Sequence, residues 1–246
     1  QDLELPKIEC VDIRKAHLKK QMQAQFAPKL LDEIKEAIVN GKQVILFQNR
    51  RGYSPIMSCG TCAYTPNCNS CDVSLTFHKW NNQLKCHYCG YTEQVPEVCP
   101  SCTAKDFSDK GFGTEQIEES LKELLPSYVT KRMDYDTTRG KNAHQQIITD
   151  FEQGRIDVLV GTQMVTKGLD FDNVELVGVL NADSMLKFPD FRALERSYQL
   201  MSQVAGRAGR KGDRGKVIIQ TFDEKHEIIH QVKNHDYSSM CKKQLE

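Results

Sequence analysis

The chain has 246 residues; its 33 Lys+Arg balance 33 Asp+Glu, 39% of residues are hydrophobic, 27% are charged and ten are cysteines. This length suits one large α/β domain, or a domain plus a smaller module, at roughly 100–200 residues per domain. The charge balance excludes a uniformly basic nucleic-acid coat, so any nucleic-acid contact must use a local patch. No run approaches the roughly 18 apolar residues of a membrane helix, and the opening QDLELPKIEC is no signal peptide, so a cytoplasmic protein with no membrane partner is expected.

In chain order, residues 1–27 read as a linker. A helix is expected after Pro28 and a buried strand at Val44–Gln48, because its run VILF has no polar face to offer to solvent. After the cysteine-rich stretch the same alternation resumes. Strands are expected at Val129–Met133, Asp157–Val160, Leu176–Leu180 and Val217–Thr221, with helices following Thr114, Gly140, Asp190 and Asp223. Short apolar runs alternating with helical patterns are the mark of βαβ units and a mainly parallel sheet flanked by helices. The expected domains are therefore 28–55 with 111–246 as the α/β lobe, and 56–110 as an insertion within it.

Eight of the ten cysteines fall in four CxxC pairs: Cys59/Cys62, Cys68/Cys71, Cys86/Cys89 and Cys99/Cys102. Each pair can aim two thiolates from one tight turn at one tetrahedral Zn²⁺, so four pairs imply two Cys₄ sites. Without an export signal, zinc is favoured over disulfides. Three pairings of the four turns exist. The nested one, with Cys68, Cys71, Cys86 and Cys89 inside Cys59, Cys62, Cys99 and Cys102, is what a single antiparallel excursion produces. The stretch VSLTFHKWNNQLK between the inner pairs reads as a hairpin tipped at Asn81-Asn82. Full Cys₄ shells leave no open coordination position, so the zinc is expected to be structural. His78 and His87 are expected to be hairpin or surface residues. Phe77, Trp80, Tyr88 and Tyr91 could stack on bases, wedge a duplex, dock a partner protein, or merely cover a small core.

Ligands of parallel α/β sheets bind where strands end and helices begin. In VLVGTQMVTKGLDF the strand ends at Gly161, and Thr162 and Gln163 open a turn, with Lys167, Gly168 and Asp170 beyond it. In QVAGRAGR, read as helix, Gln203, Arg207 and Arg210 fall on one face. Gly206 and Gly209 within a helix would each cost about 1 kcal/mol relative to Ala, which suggests a close approach to the backbone. Two converging guanidiniums suit a polyanion such as a nucleotide γ-phosphate. Between Met185 and Lys216 there are eight Lys/Arg against three Asp/Glu, so the local field is positive.

These strings resemble motifs V (VLVGTQMVTKGLDF) and VI (QVAGRAGR) of superfamily-two helicases, and VILFQNRRGYSP resembles the motif IV strand. The four CxxC pairs, with CHYCGY and PDFRALER, narrow the resemblance to the bacterial replication-restart helicases, over nearly the whole chain. The resemblance implies a second RecA-like lobe with a two-zinc insert, from an ATP- and Mg²⁺-dependent 3′-to-5′ DNA helicase. It implies that Arg207 and Arg210 stabilise the transferring phosphoryl group, Arg210 being the finger, with Gln203 a nucleotide contact. Thr162, Gln163, Arg50 and Arg51 would contact DNA; Thr166, Lys167, Gly168 and Asp170 would couple nucleotide state to lobe movement. The partners implied are single-stranded and forked DNA, other primosome proteins and single-strand-binding protein. No GxxxxGK[ST] phosphate loop occurs, so an excised second lobe, silent in isolation, is expected. Asp223-Glu224-Lys225-His226 mimics DExH but follows motif VI, and reads as a helix start. The alternatives are a non-enzymatic zinc-dependent docking module on a degenerate RecA fold and a CxxCxGxG chaperone. The glycine rhythm of the latter is absent.

Overall fold

The computed structural model describes residues 5–49, 56–71, 73–78, 81–108, 113–134, 137–138, 140, 142–166, 171–209 and 214–245. A six-stranded sheet holds β1 (Lys7–Asp12), β2 (Gln43–Phe47), β8 (Thr130–Met133), β9 (Val158–Gly161), β10 (Val174–Val179) and β11 (Lys216–Thr221), in the order β1-β11-β10-β2-β9-β8, with every neighbouring pair parallel. β2 is buried at all five positions, as its apolar sequence demands of a central strand.

Helices cover both faces. α1 (Ile13–Leu18) leads to α2 (Pro28–Val39), where proline opens the first turn and Leu30, Leu31, Ile34, Ala37 and Ile38 form the buried stripe. With Ile117 and Leu121 of α3 (Thr114–Leu124), that stripe packs against Val44, Leu46 and Ile218 of the sheet. The opposite face is covered by α4 (Ala143–Glu152), α6 (Ala193–Ala205), α7 (Glu227–Lys233) and α8 (Tyr237–Leu245), through Ile147, Phe151, Met201, Val204, Ile229 and Met240. A short α5 (Asp183–Leu186) precedes α6. The buried Gln220 of β11 is fully engaged: its Oε1 accepts from Ala27 N–H at 2.7 Å, and its Nε2 donates to Gln25 O at 2.9 Å and Leu180 O at 3.1 Å.

Residues 7–12, assigned to a linker from the sequence, form a strand of this sheet in register with β11 from Lys7↔Lys216 to Asp12↔Thr221. Their polar–apolar alternation is that of an edge strand, and their partner lies some two hundred residues away.

The insert leaves after β2. Its base is a two-residue clip, β3 (Ser58–Cys59) antiparallel to β7 (Phe107–Ser108). Within it, β4 (Thr76–His78), β5 (Gln83–Lys85) and β6 (Thr92–Gln94) form a three-stranded antiparallel sheet. The β4–β5 turn passes Asn82 at φ +51, the left-handed conformation that asparagine tolerates. Met57, Val73, Leu75, Phe77 and Leu84 form a small core around Cys68 and Cys86.

Candidate functional site

The four CxxC turns converge in the nested arrangement: Cys59, Cys62, Cys99 and Cys102 in one group, and Cys68, Cys71, Cys86 and Cys89 in the other, with all sulfurs of a group within 4.8 Å of one another. The Sγ separations are 3.6 Å for Cys59–Cys102, 3.5 Å for Cys62–Cys99 and 3.4 Å for Cys68–Cys89. Four thiolates about 2.3 Å from a tetrahedral Zn²⁺ stand roughly 3.7 Å apart, so both groups fit that ion.

Local backbone makes the knuckles. Ala63 N–H donates to Cys59 O, Gly90 N–H to Cys86 O and Thr103 N–H to Cys99 O, at 2.8, 3.0 and 2.8 Å, and these three donors all have positive φ, at +59°, +78° and +59°. Only Gly90 advertises that turn in the sequence. The thiols share their protons unequally. Burial pushes the Cys86 thiol up, but the backbone N–H groups of Cys89 and Tyr88 outweigh it and bring it down to about 7. The Cys89 thiol, followed by burial, drives Cys71 up to about 12. A group in which one thiol ionises at the expense of another carries four thiolates only around a cation. His78 and His87 lie ring against ring, with centroids 5.2 Å apart, and belong to neither cysteine group.

Two contacts seat the insert on the lobe. Lys187, just after α5, donates its ammonium to the Ala63 carbonyl in the outer knuckle, and burial lowers its pKa. From the inner knuckle, Tyr88 meets Phe191 edge to face, with centroids 6.5 Å apart, and its Oη accepts from Phe191 N–H at 3.4 Å. Neither Lys187 nor Phe191 was singled out from sequence, since nothing local reveals a partner a hundred residues away.

The second cluster lies at the carboxyl end of β9. After Gly161 the chain makes a 3-10 turn, Gln163–Thr166, closed by Thr166 Oγ1 donating to Gln163 O at 2.8 Å. Gln163 Nε2 reaches Asn49 Oδ1 at 3.4 Å, just past β2, and Arg207 Nη2 donates to Thr166 O at 2.8 Å. The two arginine- and threonine-bearing strings therefore meet in space. Thr162 is buried, Gln163 half-buried and Gln203 exposed. Arg50, Arg51, Trp80, Lys167, Gly168, Asp170 and Arg210 lie outside the described residues.

QVAGRAGR is not the continuous helix expected from its spacing. α6 ends at Ala205, Gly206 is its C-cap, and Gly209 takes φ +67 with its N–H on Val174 O at 2.9 Å. A Cβ on Gly215 would stand 2.2 Å from the Ala208 carbonyl carbon and 2.3 Å from Gly209 N. Gly209 turns the chain out of the helical path in the left-handed conformation, and Gly215 lets two backbones cross. Asp223-Glu224-Lys225-His226 is a helix start, as expected: His226 caps α7, its Nδ1 accepting from Ile228 N–H at 3.2 Å.

A parallel sheet covered on both faces, a turn after β9 bound to an arginine after α6, and a two-Cys₄ insert after β2 define a RecA-like helicase C-terminal lobe carrying a zinc-ribbon module. Comparison with known proteins narrows the class. Residues 68–94 match the PriA DNA helicase Cys-rich region domain, and residues 102–212 match the helicase conserved C-terminal domain. The chain is 45% identical to the replication restart protein PriA of Bacillus subtilis (strain 168) over 241 residues, covering 98% of this chain and 30% of that protein. It is 43% identical to PriA of Synechocystis over 249 residues, again 30% of the relative. Among solved structures, RecG bound to a three-way DNA junction superposes with a TM-score of 0.51 at 11% identity, over 99% of this chain and 22% of that one, a likeness of fold. The chain belongs to the PriA family of replication restart proteins, and spans about a third of the length of these relatives.

Proposed function

We propose that this chain is the second motor lobe of an ATP-dependent 3′-to-5′ DNA helicase that restarts stalled replication forks, with 28–55 and 111–246 as motor and 56–110 as a two-zinc insert. The observation that carries the reading is the 2.8 Å bond from Arg207 to the Thr166 carbonyl, which joins the phosphate-side and DNA-side turns in one corner. A first lobe would bring ATP and Mg²⁺, whose chemistry is phosphoryl transfer to water. Across that cleft Arg210 supplies the guanidinium that stabilises charge on the phosphoryl oxygens, and Gln203 contacts the nucleotide. Arg207, held on Thr166, keeps the two turns in register; Lys167, Gly168 and Asp170 pass nucleotide state to the DNA side. Thr162, Gln163, Arg50 and Arg51 are the DNA-backbone contacts in this reading. The two zinc ions shape the insert; single-stranded and forked DNA, single-strand-binding protein and other primosome proteins are the partners of the helicase as a whole, in the cytoplasm.

The test is ATP hydrolysis by the zinc-loaded chain alone and after mixing with the first lobe of a related PriA, with and without single-stranded DNA. Silence alone and DNA-stimulated turnover on mixing are expected, with Arg210→Ala lowering the restored rate about 10³-fold or more while sparing DNA binding. Turnover by the chain alone, or none after mixing, would overturn the reading; the latter would favour a non-enzymatic docking module.

A further inference from the structure

We infer that the seam between the zinc insert and the motor lobe is a base-stacking site for single-stranded nucleic acid, built from Tyr88 of the inner knuckle and Phe191 before α6. In the insert, Phe77 is in the small core, Tyr91 packs against it and Tyr64 is half-buried, but Tyr88 is 53% exposed. The ring that meets it, Phe191, is 70% exposed. Two large rings left in water cost hydrophobic free energy, and here they are also fixed in place. Their edge-to-face contact and the Phe191 N–H on Tyr88 Oη hold both orientations, and Lys187 on the Ala63 carbonyl holds the insert against the lobe beside them.

The surroundings favour a nucleic acid over an apolar peptide. The Arg192 guanidinium lies 5.3 Å from the Phe191 ring centroid, a cation–π contact that leaves its N–H donors available to a phosphate. His87 beside Tyr88 is exposed, and the stretch from Met185 to Lys216 is net basic. Rigid aromatic faces flanked by arginine are how sequence-tolerant single-strand grooves are built, because every base has a π-face. A duplex keeps its bases stacked on each other, so the site takes unpaired ones. Both the turn at Gln163 and the segment carrying Phe191 follow the carboxyl ends of strands in the one parallel sheet, β9 and β10, and the proposal rests on the reading of the lobe as a DNA motor.

The experiment measures binding of a fluorescent oligothymidylate, and of an abasic strand of equal length, to the zinc-loaded chain by anisotropy. A parallel photocrosslink with 5-iodouracil is mapped by mass spectrometry. Tyr88→Ala should weaken oligothymidylate binding at least about 5-fold, the lower end of what one stacked base contributes, with abasic binding unchanged and Tyr88→Phe, which keeps the ring and loses only the Oη contact, retaining most of the affinity. Phe191→Ala, on the lobe and far in sequence from every zinc ligand, should act in the same direction with both zinc ions retained. Crosslinks should fall on Tyr88 or Phe191. Wild-type affinity in both alanine variants, or equal losses for both strands, would overturn the site. Crosslinks confined to the Gln163 turn would overturn it while leaving the motor reading intact; no binding of either strand by the wild-type chain would remove both.

Discussion

Replacing Gly215 by alanine tests whether the arginine turn is set by backbone crossing. The added Cβ would lie 2.2 Å from Ala208 C, 2.3 Å from Gly209 N and 2.5 Å from Ala208 O. All three are main-chain atoms of a turn whose Gly209 N–H is bound to Val174 O, so no side chain can swing aside and the turn or the start of β11 must move. Overpacking costs about 1–3 kcal/mol; with only backbone to yield, about 2–3 kcal/mol is expected here. At about 2–4 °C per kcal/mol for a chain of this size, the melting temperature should fall by roughly 4–12 °C. The control is Gly206→Ala, whose Cβ would meet the Ser202 and Gln203 carbonyl oxygens at 3.5 and 3.6 Å, ordinary contacts, at a φ of −65°. It should be neutral or stabilising by up to about 1 kcal/mol. Thermal unfolding followed by circular dichroism separates the two. A Gly215→Ala melt matching wild type, or a Gly206→Ala melt falling as far, would refute the argument.

Chelation of zinc should unfold residues 56–110 while the six-stranded sheet keeps its amide protection in hydrogen exchange, because the sheet has its own core on both faces; simultaneous loss of both would show that insert and lobe fold as one unit. Gln220→Leu strands one buried donor and two buried acceptors and should cost about 2–4 kcal/mol, seen as a lower urea midpoint at unchanged slope. Burial lowers the pKa of both His226 and His17 from 6.5, so the unfolded chain binds protons that the folded chain refuses. Stability is then full above pH about 6.5 and falls as the pH drops below it. Urea midpoints at pH 7.5 and about pH 5.5 should show the loss, and His226→Asn, which keeps a capping acceptor, should reduce it; an unchanged pH slope in that variant would contradict the assignment.

What could be read in advance follows from the range of the interactions involved. β2, β9 and β11 are legible because each is buried on both faces and so carries a central apolar run, VILF, VLV and VII. The two Cys₄ groups are legible because CxxC spacing is a local property of one turn, and their nesting follows from the closed excursion. β1 was not, since Lys7, Glu9 and Asp12 give it a polar edge and its pairing with β11 is invisible locally. The spacing of Gln203, Arg207 and Arg210 suggests a continuous helix, whereas α6 ends at Ala205 and Gly209 turns the chain left-handed. Ala63 and Thr103 hide the left-handed knuckle turns, because neither is a residue that prefers that conformation. The seam of Lys187, Phe191 and Tyr88 emerges only when insert and lobe are seen together.

The clip of Ser58–Cys59 on Phe107–Ser108 brings the two ends of the excursion onto adjacent strands. Loop-closure free energy grows by only about 0.6 kcal/mol for each doubling of loop length, so the sheet scarcely senses what is housed between those ends. The insert is in this respect an exchangeable part. A lineage can lengthen it, trim it or graft another metal knuckle inside the same clip, altering what the lobe touches while the register of β2 against β9 and β10 stays as it was.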